Sequence, residues 1–172
     1  MVIWLTGISG SGKTTIAKEL IKRFKSSIPQ LVSIDGDEVR TLFKNDLGYS
    51  IEERKKQIER IQSICKFLDN QNMIVIASAL YSDENILKWN RANFSEYKEI
   101  YIKASINLVK AADVKGIYSK YTKEKVKNLV GIDIKWVEPL APHLIINRDE
   151  GIDLNRSIAL ISEEISYLKK VK

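Results

Sequence analysis

Apolar residues gather in five short runs, at 2–6, 31–34, 73–77, 99–102 and 143–146, each bounded by polar or turn residues. The stretches between them are long enough for helices, and helical spacing fills 13–25, 37–44, 51–71, 84–94 and 153–170. Strands that alternate with helices predict a parallel sheet joined by helical crossovers. Two helix starts carry their own signals. Ser50-Ile51-Glu52-Glu53 reads as a capping box, and Asp153 is placed to cap the last helix. The segment 113–142 breaks the pattern, with glycines at 116 and 131, prolines at 139 and 142, many lysines and no period. It is expected to be a mobile lid. At 172 residues the chain is expected to form one domain, 1–172.

Between the first apolar run and the first helix stands Gly7-Ile8-Ser9-Gly10-Ser11-Gly12-Lys13-Thr14, which fits G-x-x-x-x-G-K-[ST]. Glycines allow successive backbone N–H groups to turn inward around phosphate oxygens, and the following helix presents its positive dipole end. Gly7, Ser9, Gly10, Ser11, Gly12, Lys13, Thr14 and Thr15 are therefore expected to hold a nucleoside triphosphate. Lys13 would reach the β- and γ-phosphates in a catalytic role, from a solvent-filled pocket, and Thr14 would offer its hydroxyl to Mg²⁺. The plainer reading is a glycine-rich turn with no ligand. With this motif placed, the expected fold class is α/β: a P-loop NTPase-type three-layer sandwich, with a mostly parallel five-stranded sheet and a mobile lid.

The second run ends in Asp35-Gly36-Asp37-Glu38-Val39-Arg40, which brings two carboxylates and an arginine to the carboxyl edge of the sheet. Ligands of open α/β sheets bind at that edge. A carboxylate there can orient or deprotonate an attacking hydroxyl, or hold a metal-bound water, and an arginine can grip a second anionic substrate. Asp35 and Asp37 are the candidate catalytic carboxylates of a small-molecule kinase. The structural alternative is a polar strand-to-helix turn capped by Asp37.

A formal net charge of +6 suits a protein that handles polyanions, without choosing between nucleotides and nucleic acid. The local excess of lysine from Lys120 to Lys127 reads equally as a solvated helix face or as a functional patch. A single cysteine, Cys65, excludes an internal disulfide and is expected in a helix core. A single histidine, His143, leaves no Cys/His cluster for zinc. The first apolar run is too short for a signal peptide or a membrane span, so a cytoplasmic protein is expected. Its expected partner is a small-molecule nucleotide acceptor, with no nucleic acid and no membrane, and a homodimer is the assembly allowed for.

The two motifs are followed at characteristic spacing by Asp46-Leu47-Gly48-Tyr49-Ser50 and Glu53-Arg54-Lys55. Further on come Asp113-Val114-Lys115-Gly116-Ile117-Tyr118, Val130-Gly131-Ile132-Asp133 and Glu138-Pro139. In combination these resemble the adenylylsulfate (APS) kinase family over nearly the whole chain. The resemblance implies ATP and Mg²⁺ as cofactors, and transfer of the γ-phosphate of ATP to a ribose 3′-hydroxyl. It assigns Asp35 and Asp37 to catalytic or metal-water roles, and Arg40 and Arg54 to the anionic bridge of the acceptor. The implied acceptor-binding set is Asp37, Arg40, Tyr49, Arg54, Gln57, Ser78, Leu80, Lys115 and Leu129.

Several positions depart from the family pattern. Leu129 stands where a phenylalanine normally completes an aromatic clamp with Tyr49, and Gln57 replaces an acceptor-contacting asparagine. Ala77-Ser78-Ala79-Leu80-Tyr81-Ser82-Asp83-Glu84 replaces a pattern close to S-F-I-S-P-Y-R, and Ala112 replaces an arginine before the lid aspartate. Loss of a stacking ring is worth about 0.5–1.5 kcal/mol beyond area burial. These changes point to a changed acceptor with a smaller base, favouring cytidine diphosphoramidate, the acceptor of a family branch in capsular-polysaccharide pathways, over adenylylsulfate. Two other classes fit less well. A regulatory GTPase would explain Asp113-Val114-Lys115-Gly116 as D-x-x-G, yet the chain has no N-K-x-D. A nucleic-acid-binding module would use the charge but would have no need of Asp35 and Asp37 beside the loop.

Overall fold

The computed structural model describes residues 1–80, 83–113, 116, 118–119 and 128–169. Five strands, β1 (Val2–Thr6), β2 (Leu31–Asp35), β3 (Ile74–Ala79), β4 (Tyr97–Lys103) and β5 (Leu144–Asn147), form one sheet in the order β2-β3-β1-β4-β5. Every pairing is parallel, so the expected mostly parallel sheet is parallel throughout. The register aligns Thr6 with Ala79 and Tyr101, Asp35 with Ser78, and Lys103 with Asn147. All carboxyl ends consequently open on one edge.

β1 and β3 are near-continuous apolar runs, buried along their whole length because both faces of the sheet centre are covered. One face packs Ile3, Leu5, Ile100 and Ile102 against Ile16 and Leu20 of α1 (Lys13–Phe24) and Ile158 and Ile161 of α6 (Leu154–Glu164). The other packs Trp4, Val75 and Ala77 against Ile61 and Cys65 of α3 (Ile51–Asp69) and Leu87 of α4 (Glu84–Asn93). Each such aliphatic side chain contributes about 1.5–3 kcal/mol on burial. Burial also pushes the Cys65 thiol up to about 12, with the Asp69 carboxylate adding to it, so Cys65 is an inert core residue.

Helix α2 (Gly36–Leu42) follows β2 directly, and α3 starts at Ser50 with both halves of its capping box made. Asp153 caps α6 through the N–H of Arg156. Two features depart from the pattern reading. A seven-residue helix, α5 (Ile106–Ala112), follows β4. It is anchored from outside itself, because Ser105 donates its N–H and its hydroxyl to Asp149 at 2.7 and 2.5 Å. The expected helix over 153–170 breaks at Ile165, whose backbone is extended and whose side chain is fully buried; α7 (Ser166–Lys169) follows. Burial of that isoleucine outweighs one more helical residue.

The described part of 113–142 packs toward the phosphate-loop side. Tyr118 and Leu129 bury against Ile8 and Val109, and Val130 bridges to Ile134. Lys115 and the lysine-rich stretch 120–127 lie outside the described residues. Among the described residues, no helix is long and apolar enough to cross a membrane.

At the opposite edge, His143 joins β5 to β4 twice. Its N–H donates to Glu99 O at 2.8 Å, and its Nδ1 accepts from the Glu99 N–H at 3.0 Å. An accepting Nδ1 must be unprotonated, and partial burial together with the Lys98 ammonium holds this imidazole below the ordinary histidine pKa. The unfolded chain therefore takes up a proton near pH 6.5 more readily than the folded one, and stability is lost as pH falls through that value. The melting temperature should drop between about pH 7.5 and about pH 5.5, and drop less in His143→Gln, which retains an acceptor. Parallel pH profiles for the two proteins would remove His143 as the source.

Candidate active site

The loop that follows β1 turns where only glycine fits. Gly7 has φ 151, and a Cβ built on it would lie 2.4 Å from the carbonyl oxygen of Ile102 in the neighbouring strand. From there the chain wraps back to Gly12, which precedes α1 in a left-handed conformation. Lys13 opens that helix, but its ammonium does not project into a solvent-filled pocket. It is buried and donates to Gly7 O and Ile8 O, both at 2.8 Å. A buried ammonium must be hydrogen-bonded, and the carbonyls of its own loop are within reach. Ser9 O accepts from the Tyr118 hydroxyl at 3.0 Å. Ser11 is packed inside the loop, with Gly10 and Thr15 on its exposed side.

A hydrogen bond ties the loop to the second motif. Thr14 Oγ1 donates to Asp35 Oδ2 at 2.7 Å, while Asp35 Oδ1 accepts the N–H of Asp37 at 2.9 Å and caps α2. The capping residue is thus Asp35 rather than Asp37, which is exposed in the first turn of α2. A hydroxyl and a carboxylate in contact form a pair of hard oxygen donors at the helix start. That donor set suits Mg²⁺, which takes few protein ligands and completes its shell with phosphates and water. Among the described residues, no group of three or more His, Cys, Asp or Glu side chains could hold a metal by itself.

Beyond Asp37 lies a cationic face. Arg40 is buried and donates to Leu47 O at 2.9 Å and Gly48 O at 3.0 Å. Arg54, also buried, donates to Tyr49 O at 3.0 Å and, far along the chain, to Asn128 O at 2.8 Å. Both guanidinium carbons lie near the Tyr49 ring, 4.5 and 5.3 Å from its centroid. Tyr49 as a residue is 55% exposed, so part of its surface is open to a planar ligand. Glu53 orders the loop beneath it, accepting from the N–H groups of Gly48 and Ser50; the Gly48 bond foremost holds its carboxyl below the ordinary range.

Gln57 donates to Gly36 O at 3.0 Å, and its buried Oε1 has no partner among the described residues. Ser78, beside Asp35 in the sheet, is equally buried, and Leu80 is half-buried where β3 ends. Leu129 is not an open wall opposite Tyr49: its side chain packs with Ile8, Val109 and Tyr118. Tyr81 and Lys115 lie outside the described residues. Pattern reading overlooked Arg148, whose Nη1 is 4.0 Å from the Cβ position of Gly12. A cation two residues past the last apolar run was the available signal. The Tyr118 bond to Ser9 was also overlooked, and no local pattern announces a contact of that sequence separation.

Comparison with known proteins agrees with this geometry. The family model described as adenylylsulphate kinase matches residues 1–147. The cytidine diphosphoramidate kinase of Campylobacter jejuni is 34% identical over 168 residues, covering 96% of each chain. The adenylyl-sulfate kinase of Rippkaea orientalis is 35% identical over 173 residues, covering 99% of this chain and 95% of its own. Among solved structures, the Mycobacterium tuberculosis APS kinase CysC, in complex with AMPPNP and APS, superposes with a TM-score of 0.85 at 22% identity, over 95% of each chain. A family match over most of the length, with relatives aligned nearly end to end, makes this chain a member of the adenylylsulphate kinase family and a phosphotransferase.

Proposed function

We propose that this kinase transfers the γ-phosphate of ATP, with Mg²⁺, to the ribose 3′-hydroxyl of a nucleotide bearing a modified diphosphate, and that the favoured acceptor is cytidine diphosphoramidate, in capsular-polysaccharide modification. The observation that carries the transfer reaction is the 2.7 Å bond from Thr14 to Asp35, which joins the phosphate loop and the second-strand carboxylates into one cleft. Thr14 and Asp35 would hold Mg²⁺, which when bound neutralises charge on the β- and γ-oxygens. Lys13 exchanges its two loop carbonyls for phosphate oxygens and stabilises charge in the transition state. Asp37, exposed beside them, orients the 3′-hydroxyl and accepts its proton. Arg40 and Arg54 hold the anionic bridge of the acceptor, and Tyr49 stacks on its base.

The choice of acceptor is supported by the base side. Tyr49 supplies one ring, while Leu129 is turned into the apolar cluster beside the loop, which suits a pyrimidine better than a purine clamped on two faces. The Campylobacter jejuni relative carries that activity in its name. Adenylylsulfate is the second reading, favoured by the Rippkaea orientalis relative at nearly the same identity.

Lys13→Ala should abolish turnover and also lower the melting temperature somewhat, because two loop-closing hydrogen bonds go with the ammonium. Activity within about tenfold of the parent, in protein shown folded by circular dichroism, contradicts this role. Asp37→Asn should bind ATP normally and lose phosphoryl transfer. Parental turnover in that variant moves the catalytic carboxylate to Asp35. For the acceptor, kcat/KM measured with ATP and Mg²⁺ should favour cytidine diphosphoramidate over adenylylsulfate by roughly 5-fold to 150-fold, the value of one lost stack or polar contact. Equal or reversed values would leave an adenylylsulfate kinase.

A further inference from the structure

Arg148 stands at the carboxyl edge of the sheet, at the start of the 3-10 turn Arg148–Glu150 that follows β5. Its Nη1 approaches within 4.0 Å of where a Cβ on Gly12 would sit, so it flanks the residue from which α1 and its N–H groups begin. The side chain is half-buried, and among the described residues its guanidinium makes no hydrogen bond or ion pair. The adjacent carboxylates are engaged elsewhere. Asp149 accepts from the N–H and hydroxyl of Ser105, and Glu150 accepts from the Asn147 amide at 2.8 Å. A partly desolvated guanidinium lacking a counter-charge, beside an anion-binding loop, calls for an anionic or aromatic partner from outside the chain.

The sheet order shows which part of a ligand reaches it. β2 and β3 lie on one side of β1 and its loop, and β4 and β5 lie on the other. Asp35, Asp37, Arg40, Tyr49 and Arg54 all come from β2 and the elements directly after it, whereas Arg148 leaves β5. A nucleotide whose terminal phosphate meets Thr14 and Asp35 therefore extends its other end away from the acceptor face, toward β5. From this we infer that Arg148 grips the nucleoside end of the donor nucleotide, at its base. This assignment rests on the reading of the loop as an ATP site.

Calorimetric titration of the full chain with Mg·ADP and with Mg·tripolyphosphate tests it, on the parent and on Arg148→Ala. ADP affinity should fall about tenfold, the worth of one charge-assisted bond or stacked guanidinium, while tripolyphosphate affinity stays within about twofold. In steady-state assays KM for ATP should rise, with kcat and the acceptor KM unchanged. Unaltered ADP affinity overturns the assignment. So does an equal loss for both probes, which would reduce Arg148 to a diffuse positive charge. A parent protein that binds neither probe overturns the donor reading itself, and this assignment with it.

Discussion

The tight turn at the end of β1 is the constraint on which the rest of the molecule depends. β1 is the middle strand, hydrogen-bonded on both sides, so the chain can leave it only at the carboxyl edge and must then double back over its own neighbours. At Gly7 the carbonyl oxygen of Ile102 occupies the space a side chain would need. That close approach sets the start of α1 above the sheet and aims the N-terminal N–H groups of the helix at the cleft. The Thr14 bond to Asp35 then fixes how β2 and its helix meet the loop.

Much of the fold was legible because its signals are local. The inner strands β1 and β3 are apolar runs of five and six residues buried along their whole length, and the 19-residue α3 announces its start through Ser50 and Glu53. What escaped was decided at a distance. Helix α5 is too short to stand on propensity alone, and it exists where Asp149, distant in sequence but just past the neighbouring strand β5, holds its start. The break at Ile165 is invisible in the periodicity because an isoleucine suits a helix as well as a bend; the core that receives it makes the difference.

The site divides the same way. The phosphate loop is contiguous in sequence, so its residues were legible together, as was the pair of aspartates after β2. Their division of labour was not. That Asp35 places one oxygen on the cap and the other on Thr14, with Asp37 exposed, follows from the extended backbone of Asp35 at the start of α2 rather than from residue order. Arg40 and Arg54 were expected as simple anion grips, yet each also supports Tyr49 and the loop carbonyls around it. Leu129 illustrates the limit most plainly. As a replacement for a ring it reads as a missing wall, and in three dimensions it belongs to the packing that holds Tyr118 against the loop.

The buried ammonium of Lys13 has a consequence for how the loop meets any anion. With Gly7 O and Ile8 O already as partners, the loop carries an internal competitor for its own lysine. Phosphate capture is then an exchange of acceptors rather than the addition of contacts, and its net gain is smaller than a count of bonds in the complex suggests. An isolated monoanion displaces little; a polyphosphate, which engages the helix N–H groups at the same time, can compensate for both lost carbonyl bonds. Selection by ligand length is thus built into the resting loop before any base is read.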